Sequence, residues 1–100
     1  MSFDIDYTRT AANHVRGYRK YEQQIILDAA DEQLQYEPTT ETTKRKRLGE
    51  NPLSTWELRV GKYRVFYDVI PEGEFGIVKI KAVGHKVHNK LYIAGKEFEL

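Results

Sequence analysis

The sequence predicts an α+β fold in which an N-terminal strand and a helical pair pack on one face of a small antiparallel sheet, followed by a short C-terminal segment. Two patterns support this class. Residues 3–7, 56–69 and 76–83 alternate apolar and polar side chains, as strands with one buried face do. Residues 9–35 carry apolar side chains at helical spacing. Only short turns separate the later strand-like segments, which favours antiparallel pairing.

The composition is that of one soluble globular domain spanning residues 1–100. Apolar residues make up 40% and charged residues 31% of the chain. No run of about 18 apolar residues is present that could cross a bilayer. The first residues, MSFDIDYTR, lack the pattern of a secretory signal, and there are 0 cysteines for a disulfide framework or a zinc–cysteine site. We expect a cytoplasmic protein without a metal or other cofactor.

The segment 9–35 is predicted to be helical. Thr8 or Thr10 can cap its first turn, and Pro38 ends it. Gly17 would cost an uninterrupted helix about 1 kcal/mol relative to alanine. The segment is therefore either one helix or two.

The net charge of +1 hides a segregation along the chain. Residues 1–43 hold 4 basic and 8 acidic side chains, whereas residues 44–100 hold 12 basic and 7 acidic ones. The step falls at Lys44-Arg45-Lys46-Arg47, within a polar connection over residues 38–54 that Leu48 and Leu53 tether to the body. Such a cluster indicates either a polyanion-binding face or a solvated basic loop.

The stretch Val60-Gly61-Lys62-Tyr63 predicts a two-residue hairpin loop of type II′, with glycine at its first central position. This loop fixes the register of the two strands that it joins. On an apolar face the paired residues are Val60 and Tyr63, Leu58 and Val65, and Trp56 and Tyr67; on the other face they are Arg59 and Arg64, and Glu57 and Phe66. Like charges directly opposite each other repel, so the arginine pair requires a reason.

A third strand over residues 76–83 extends this sheet after a turn at residues 71–76. When the apolar faces are matched, the pairs on the apolar face are Val69 with Val78, Tyr67 with Ile80, and Val65 with Ala82. The pairs on the other face are then Asp68 with Lys79, Phe66 with Lys81, and Arg64 with Val83. One face is then apolar and lies under the helices, whereas the other is basic, and His85 follows on this basic face if Gly84 does not form a bulge. Residues 88–100 are apolar enough to fold back on the sheet, as a helix or as a strand.

Most catalytic signatures are absent, since the chain has no Gly-rich phosphate loop, G-x-S-x-G or H-E-x-x-H. His85 and His88 lack a nearby cysteine or carboxylate that would complete a metal site. A cation-rich set remains, with Tyr92 near it in sequence: Arg45, Arg47, Arg59, Arg64, Lys81, His85, Lys86 and His88. Metal-free RNA cleavage needs such a set, because a base, an acid and cations must act on one phosphate. In the structural alternative, Glu57 and Asp68 bridge the two strand arginines.

The order of these parts resembles the RelE/ParE toxin superfamily of bacterial type II toxin–antitoxin systems. The likeness is strongest over residues 56–86, in LRVGKYRVFY and AVGHK, and the N-terminal strand and helices match in order and length. The resemblance implies a RelE-like fold and a toxin that a cognate antitoxin neutralises. RelE-type members cut mRNA in the ribosomal A site, whereas ParE-type members inhibit DNA gyrase.

Carried over to this chain, the resemblance implies four catalytic residues. Arg64 would clamp the scissile phosphate, and His85, Lys86 and Tyr92 would share proton transfer and charge stabilisation. Two departures stand out: Lys86 takes the place of an arginine in RelE, and Gly95 falls where a helix is expected. The implied RNA-binding residues are Lys44, Arg45, Lys46, Arg47, Arg59, Lys81 and His88.

The sequence therefore predicts a ribosome-dependent, metal-free mRNA endonuclease that inhibits translation. Its expected partners are a cognate antitoxin and the ribosome with its mRNA, without a membrane. One alternative is a ParE-like inhibitor of DNA gyrase. Another is an inactive RelE-fold module that keeps only the antitoxin-binding surface.

Overall fold

The computed structural model describes residues 1–100. Seven strands and two helices follow one another along the chain. They are β1 (Asp4–Tyr7), α1 (Arg9–Arg16), α2 (Lys20–Leu34), β2 (Arg45–Arg47), β3 (Trp56–Val60), β4 (Tyr63–Glu72), β5 (Phe75–Val87), β6 (Lys90–Ile93) and β7 (Lys96–Phe98). Both helices pack against one face of the sheet, which confirms the predicted α+β class.

Six strands form an antiparallel array in the order β2-β3-β4-β5-β6-β7. β1 does not lie on a face of this sheet but joins it, parallel to β5, with Ile5 opposite Val78. With 13 residues, β5 is long enough to hold β1 along one part of its outer edge and β6 further along. This one strand therefore lies beside the strands from both ends of the chain.

Gly17 separates the two helices, so the predicted helical segment is two helices rather than one. The Oγ1 atom of Thr8 accepts a hydrogen bond from the Ala11 N–H at 3.0 Å and so caps α1. Of the two predicted capping residues, Thr8 is therefore the one used. At the start of α2, the Glu22 carboxylate accepts a hydrogen bond from the Arg19 N–H at 3.0 Å. Side chains thus satisfy backbone donors at both helix starts.

Two apolar clusters hold the fold together, one on each face of the sheet. The larger lies between the helices and the sheet; among its fully buried members are Ile26, Leu34, Leu58, Val65, Tyr67, Val78, Ile80 and Val83. The smaller, on the opposite face, buries Phe66, Ala82 and Leu91. Leu48 and Leu53 pack around this smaller cluster, so their predicted tethering role is confirmed. The face that was expected to be basic is therefore partly apolar, covered by the chain itself.

The predicted β3–β4 hairpin is confirmed in every pair. Arg59 lies opposite Arg64, and Leu58 lies opposite Val65. Gly61 has a φ of 58°, whereas Lys62 does not enter the left-handed region, which is the combination of a type II′ turn. The hairpin thus places the two arginines side by side, as the sequence indicates.

β5 carries one extra residue, Lys81, because Ile80 pairs with Tyr67 and Ala82 pairs with Phe66 on consecutive positions of β4. Such a β-bulge leaves its extra residue unpaired. Because side chains alternate with a period of two, it also exchanges the two faces along the rest of the strand.

The predicted register beyond the bulge is therefore wrong. The incorrect pairs are Val65–Ala82, Phe66–Lys81 and Arg64–Val83. Instead, Val65 lies opposite Val83 and Arg64 lies opposite Gly84. Val83 is buried under the helices, and His85 follows it to the helix side.

Two further elements occupy stretches that the sequence pattern leaves as a connection or undecided. Residues 45–47, within the predicted polar connection, pair with β3 as an edge strand. Residues 88–100 fold back as the hairpin β6–β7 rather than as a helix. The turns before β6 and before β7 have positive φ at both central residues, 51° and 66° in the first and 52° and 78° in the second. Both are turns of type I′.

Candidate functional site

One face of the sheet, the basic face, points away from the helices. Arg59 on β3 and Arg64 on β4 lie side by side on it. Lys86 on β5 shares this face, because it pairs with Leu91 of the smaller apolar cluster. Lys46 on β2 lies opposite Glu57 of β3 and therefore also lies on this face. The basic face is defined by Lys46, Arg59, Arg64 and Lys86.

A buried carboxylate lies between the two arginines. The Glu57 side chain is 5% exposed, with Oε2 at 3.6 Å from Nε of Arg59 and Oε1 at 3.7 Å from Nε of Arg64. These are ion-pair distances, longer than those of good hydrogen bonds. Both Nε atoms are buried and have no hydrogen-bond partner in the protein. The carboxylate therefore offsets the repulsion between the arginines and leaves one donor on each unused.

The two arginines differ in how firmly the protein holds them. Nη1 of Arg64 donates to the carbonyl oxygens of Gly61 and Tyr63 at 2.7 and 2.8 Å, and its side chain is 13% exposed. Burial lowers the pKa of the Arg64 guanidinium, against the opposing effect of the Glu57 carboxylate. The Arg59 side chain is 41% exposed. Arg64 is thus fixed in position, whereas Arg59 extends toward solvent.

His85 and Tyr92 lie on the helix side of the sheet. Nδ1 of His85 shares a hydrogen bond of 2.7 Å with the Tyr18 hydroxyl, and the His85 ring stacks on Tyr92 with the ring centroids 5.9 Å apart. The prediction that His85 has the parity of Arg64 is wrong, because the bulge at Lys81 exchanges the faces. The predicted catalytic set is therefore divided: Arg64 and Lys86 lie on the basic face, and His85 and Tyr92 lie on the other.

Tyrosines and a carboxylate surround His85 on the helix side. The Tyr63 hydroxyl donates to the Glu22 carboxylate at 2.6 Å, and Nζ of Lys62 lies 3.8 Å from the same oxygen. Burial, followed by the nearby Glu22 charge, raises the pKa of Tyr18 to about 12. Burial and the hydrogen bond to Glu22 also raise the pKa of Tyr63. Such tyrosines stay neutral near pH 7 and are poor general bases.

The basic segment at residues 44–47 divides between the protein interior and solvent. Arg45 is buried, and its Nε donates to the Thr40 carbonyl oxygen at 2.9 Å. Its Nη1 donates to the backbone and side-chain oxygens of Gln33 at 2.9 and 3.0 Å. Arg45 therefore anchors the connection that follows α2. The exposed cations of the segment are Lys44, Lys46 and Arg47, the last with its guanidinium 5.9 Å from the centre of the Trp56 ring.

Lys81 lines a separate polar cleft of about 400 Å³ beside the β2–β3 loop. Its Nζ lies 3.6 Å from Asp68, whose Oδ1 accepts a hydrogen bond from the Thr55 N–H at 2.7 Å. Arg47 lines the same cleft. Asp68 thus pairs with Lys81 and not with an arginine, so the structural alternative holds only for Glu57.

The remaining sequence-predicted residue, His88, lies exposed in the turn between β5 and β6. No group of three or more His, Cys, Asp or Glu side chains is arranged to hold a metal ion. Neither helix is long and apolar enough to cross a membrane. Glu57 is the member of the arginine cluster that the predicted site omits, although its position two residues before Arg59 places it on the same face.

Two helices lie over one face of a largely antiparallel sheet, and the other face carries the arginine pair and Lys86. The sequence model for the ParE toxin of the type II toxin–antitoxin system parDE matches residues 5–89. The chain therefore belongs to the ParE toxin family, and it is a toxin of a type II toxin–antitoxin system.

A solved structure supports the same fold. The chain is similar to a protein in the crystal structure of the toxin–antitoxin complex RelBE2 from Mycobacterium tuberculosis, with a TM-score of 0.70 and 23% sequence identity. The match covers 86% of this chain and 100% of that chain. No curated protein sequence matches the chain.

Proposed function

We propose that this toxin is a ribosome-dependent, metal-free mRNA endonuclease that inhibits translation. The observation that carries the proposal is the convergence of Arg59, Arg64 and Lys86 on one face of the sheet. Guanidinium groups bind phosphate oxygens through forked donors, and an ammonium group adds a compact charge. Such a face suits an RNA phosphate and the negative charge that builds up on it during cleavage.

In this reaction the ribose 2′-hydroxyl gives its proton to solvent water as its oxygen attacks the adjacent phosphorus, and the bond from phosphorus to the 5′-oxygen breaks as that oxygen takes up a proton. Arg64 holds the phosphate, because two backbone carbonyls already fix its side chain. Arg59 adds charge from a more exposed position. Lys86, rather than His85 or Tyr92, donates the proton to the leaving oxygen. Of these three residues, Lys86 alone lies on the basic face.

The proposal includes two partners. A cognate antitoxin neutralises the toxin, in keeping with the solved RelBE2 structure, which is a toxin–antitoxin complex. The ribosome with its mRNA is the target, and the exposed cations Lys44, Lys46 and Arg47 contact the RNA backbone. With the ribosome as target, the toxin acts in the cytoplasm.

Induced expression, combined with primer extension on cellular mRNA, tests the proposal. We expect growth arrest with cuts inside codons. Arg64→Lys should lower the cleavage rate by about 10²-fold, because an ammonium lacks the forked donors. The matched control Lys90→Gln removes an exposed cation outside the basic face and should leave cleavage unchanged. Intact transcripts in arrested cells would contradict the endonuclease.

The second candidate is inhibition of DNA gyrase. It is favoured by the position of His85 and Tyr92, because their absence from the basic face leaves fewer groups there for proton transfer. Intact mRNA together with broken or relaxed chromosomal DNA, and loss of gyrase supercoiling with purified toxin, would support it. A chain that arrests no growth in either assay would instead be an inactive antitoxin-binding module.

A further inference from the structure

The Arg59–Arg64 pair is not an open anion site. The Glu57 carboxylate lies between the two guanidinium groups, and its side chain is only 5% exposed. All three side chains lie on the basic face, with Glu57 two residues before Arg59 on β3. A phosphate that reaches both guanidinium groups must therefore share this space with the carboxylate.

The contacts of Glu57 are those of a counter-ion and not of a hydrogen-bond acceptor. Its oxygens lie 3.6 and 3.7 Å from the two Nε atoms. Both Nε–H groups stay buried and without a hydrogen-bond partner. Buried donors without partners cost free energy. An oxyanion that accepts hydrogen bonds from these groups would therefore gain an interaction that the carboxylate does not make.

We infer that Glu57 is an internal anion that occupies the Arg59–Arg64 site in the free toxin and competes there with an incoming phosphate. This inference deepens the proposed function, since the phosphate belongs to the RNA backbone. The three side chains together carry a charge of +1, and without the carboxylate they would carry +2. The carboxylate thus stabilises the free fold and weakens the binding of an incoming anion at the arginine pair.

Calorimetric titration of the purified toxin with inorganic pyrophosphate, at constant ionic strength, tests the inference. Glu57→Gln keeps the side-chain shape and removes the charge, so its Kd for pyrophosphate should fall about tenfold, and its Tm without pyrophosphate should also fall. Glu97→Gln is the matched control, because it changes the net charge equally but removes a carboxylate from the exposed pair with Lys90. Its affinity should equal that of the wild type.

A double-mutant cycle separates local competition from a general charge effect. In an Arg64→Gln background, Glu57→Gln should no longer strengthen pyrophosphate binding. Unchanged or weaker binding by Glu57→Gln alone would overturn the inference. An equal gain in the presence and absence of Arg64 would overturn it as well.

If Glu57→Gln does not fold in dilute buffer, circular dichroism provides the test. Refolding with pyrophosphate, but not with sodium chloride at the same ionic strength, supports the internal anion; no refolding with pyrophosphate overturns it. None of these measurements depends on RNA cleavage. The competition can therefore hold in a toxin that cuts no mRNA, and it can fail in one that does.

Discussion

The Tyr18 hydroxyl lies 2.7 Å from Nδ1 of His85, and this hydrogen bond joins the corner between α1 and α2 to β5. The Tyr18 ring also meets the rings of Tyr63 and His85 edge-on, with centroids 5.5 and 5.6 Å away. His85 is thus held on the helix side by its own contacts as well as by the strand register. In this arrangement its ring is separated from the basic face by the sheet.

We expect His85→Ala to lower the free energy of unfolding by about 1–2 kcal/mol, because it removes a hydrogen bond and aromatic contacts. RNA cleavage should persist at temperatures where the variant is folded. Urea unfolding and the primer-extension assay measure the two effects. Lys86→Ala is the comparison, and it should lose cleavage while keeping its stability. Loss of cleavage by His85→Ala at unchanged stability would place His85 in the reaction.

Because of the bulge at Lys81, we expect substitutions at two nearby positions of β5 to change the free energy of unfolding very differently. Val83 is 0% exposed under the helices, so Val83→Lys should cost about 3–5 kcal/mol by burying an unpaired charge. Lys81→Val, at an exposed position, should change stability by only about 0.5 kcal/mol. Urea unfolding of both variants gives the comparison. If Val83→Lys were stable, the bulge assignment would be wrong, and the strand would have a regular register in which residue 83 faces the basic side.

Gly84 allows β6 to approach β5 closely. A Cβ atom there would lie 2.5 Å from the Tyr92 carbonyl oxygen and 2.8 Å from Cγ1 of Ile93. Gly84→Ala should therefore displace the β6–β7 hairpin and cost about 1–3 kcal/mol. Gly49→Ala is the matched control, because its Cβ would meet nothing within 4 Å. Equal Tm values for the two variants would contradict the close approach.

Glu22 predicts a pH dependence of stability. The hydrogen bonds from the Tyr63 hydroxyl and the Arg19 N–H lower the pKa of Glu22 below its ordinary value of 4.5. Because the folded-state pKa is the lower one, the stabilisation is present above pH 4.5 and is lost as the pH falls through the folded-state value. Glu22→Gln should flatten the fall in unfolding free energy below pH 4.5, measured by urea unfolding. Glu32→Gln, on the same helix, should keep the wild-type profile, and a steep fall in Glu22→Gln would refute the assignment.

The parts of the fold that the sequence predicts are those where one local signal excludes the alternatives. At the β3–β4 hairpin, Gly61 sets the turn, and a slip by one residue would expose Leu58 and Val65. Gly17 likewise marks the one position at which the helical segment is expected to break if it forms two helices. These signals act within a few residues, so they need no knowledge of the tertiary structure.

The bulge is different, because Ala82, Val83 and Gly84 are all compatible with either face. Only the three-dimensional packing of Val83 under the helices selects one register, and the positions of His85 and Lys86 depend on that choice. For this reason the sequence predicts the arginine pair of the site correctly and misplaces His85.

β2 and the C-terminal hairpin are hard to predict for other reasons. The strand Arg45–Arg47 has no apolar side chain, so it shows no hydrophobic alternation. The turns at His88–Asn89 and Ala94–Gly95 lack the Asn-Gly or Asp-Gly pair that marks a type I′ turn most strongly. The β6–β7 hairpin forms because Leu91 and Phe98 pack against Phe66.

The open edges of the sheet are short and charged. β2 contributes three basic residues, β7 contributes Lys96 and Glu97, and β1 alternates Asp4 and Asp6 with apolar residues. A long apolar edge is a template on which further copies can add and begin to aggregate, whereas short charged edges discourage this. The short, charged edges of this toxin therefore disfavour the addition of further copies of the chain, strand by strand, to its sheet.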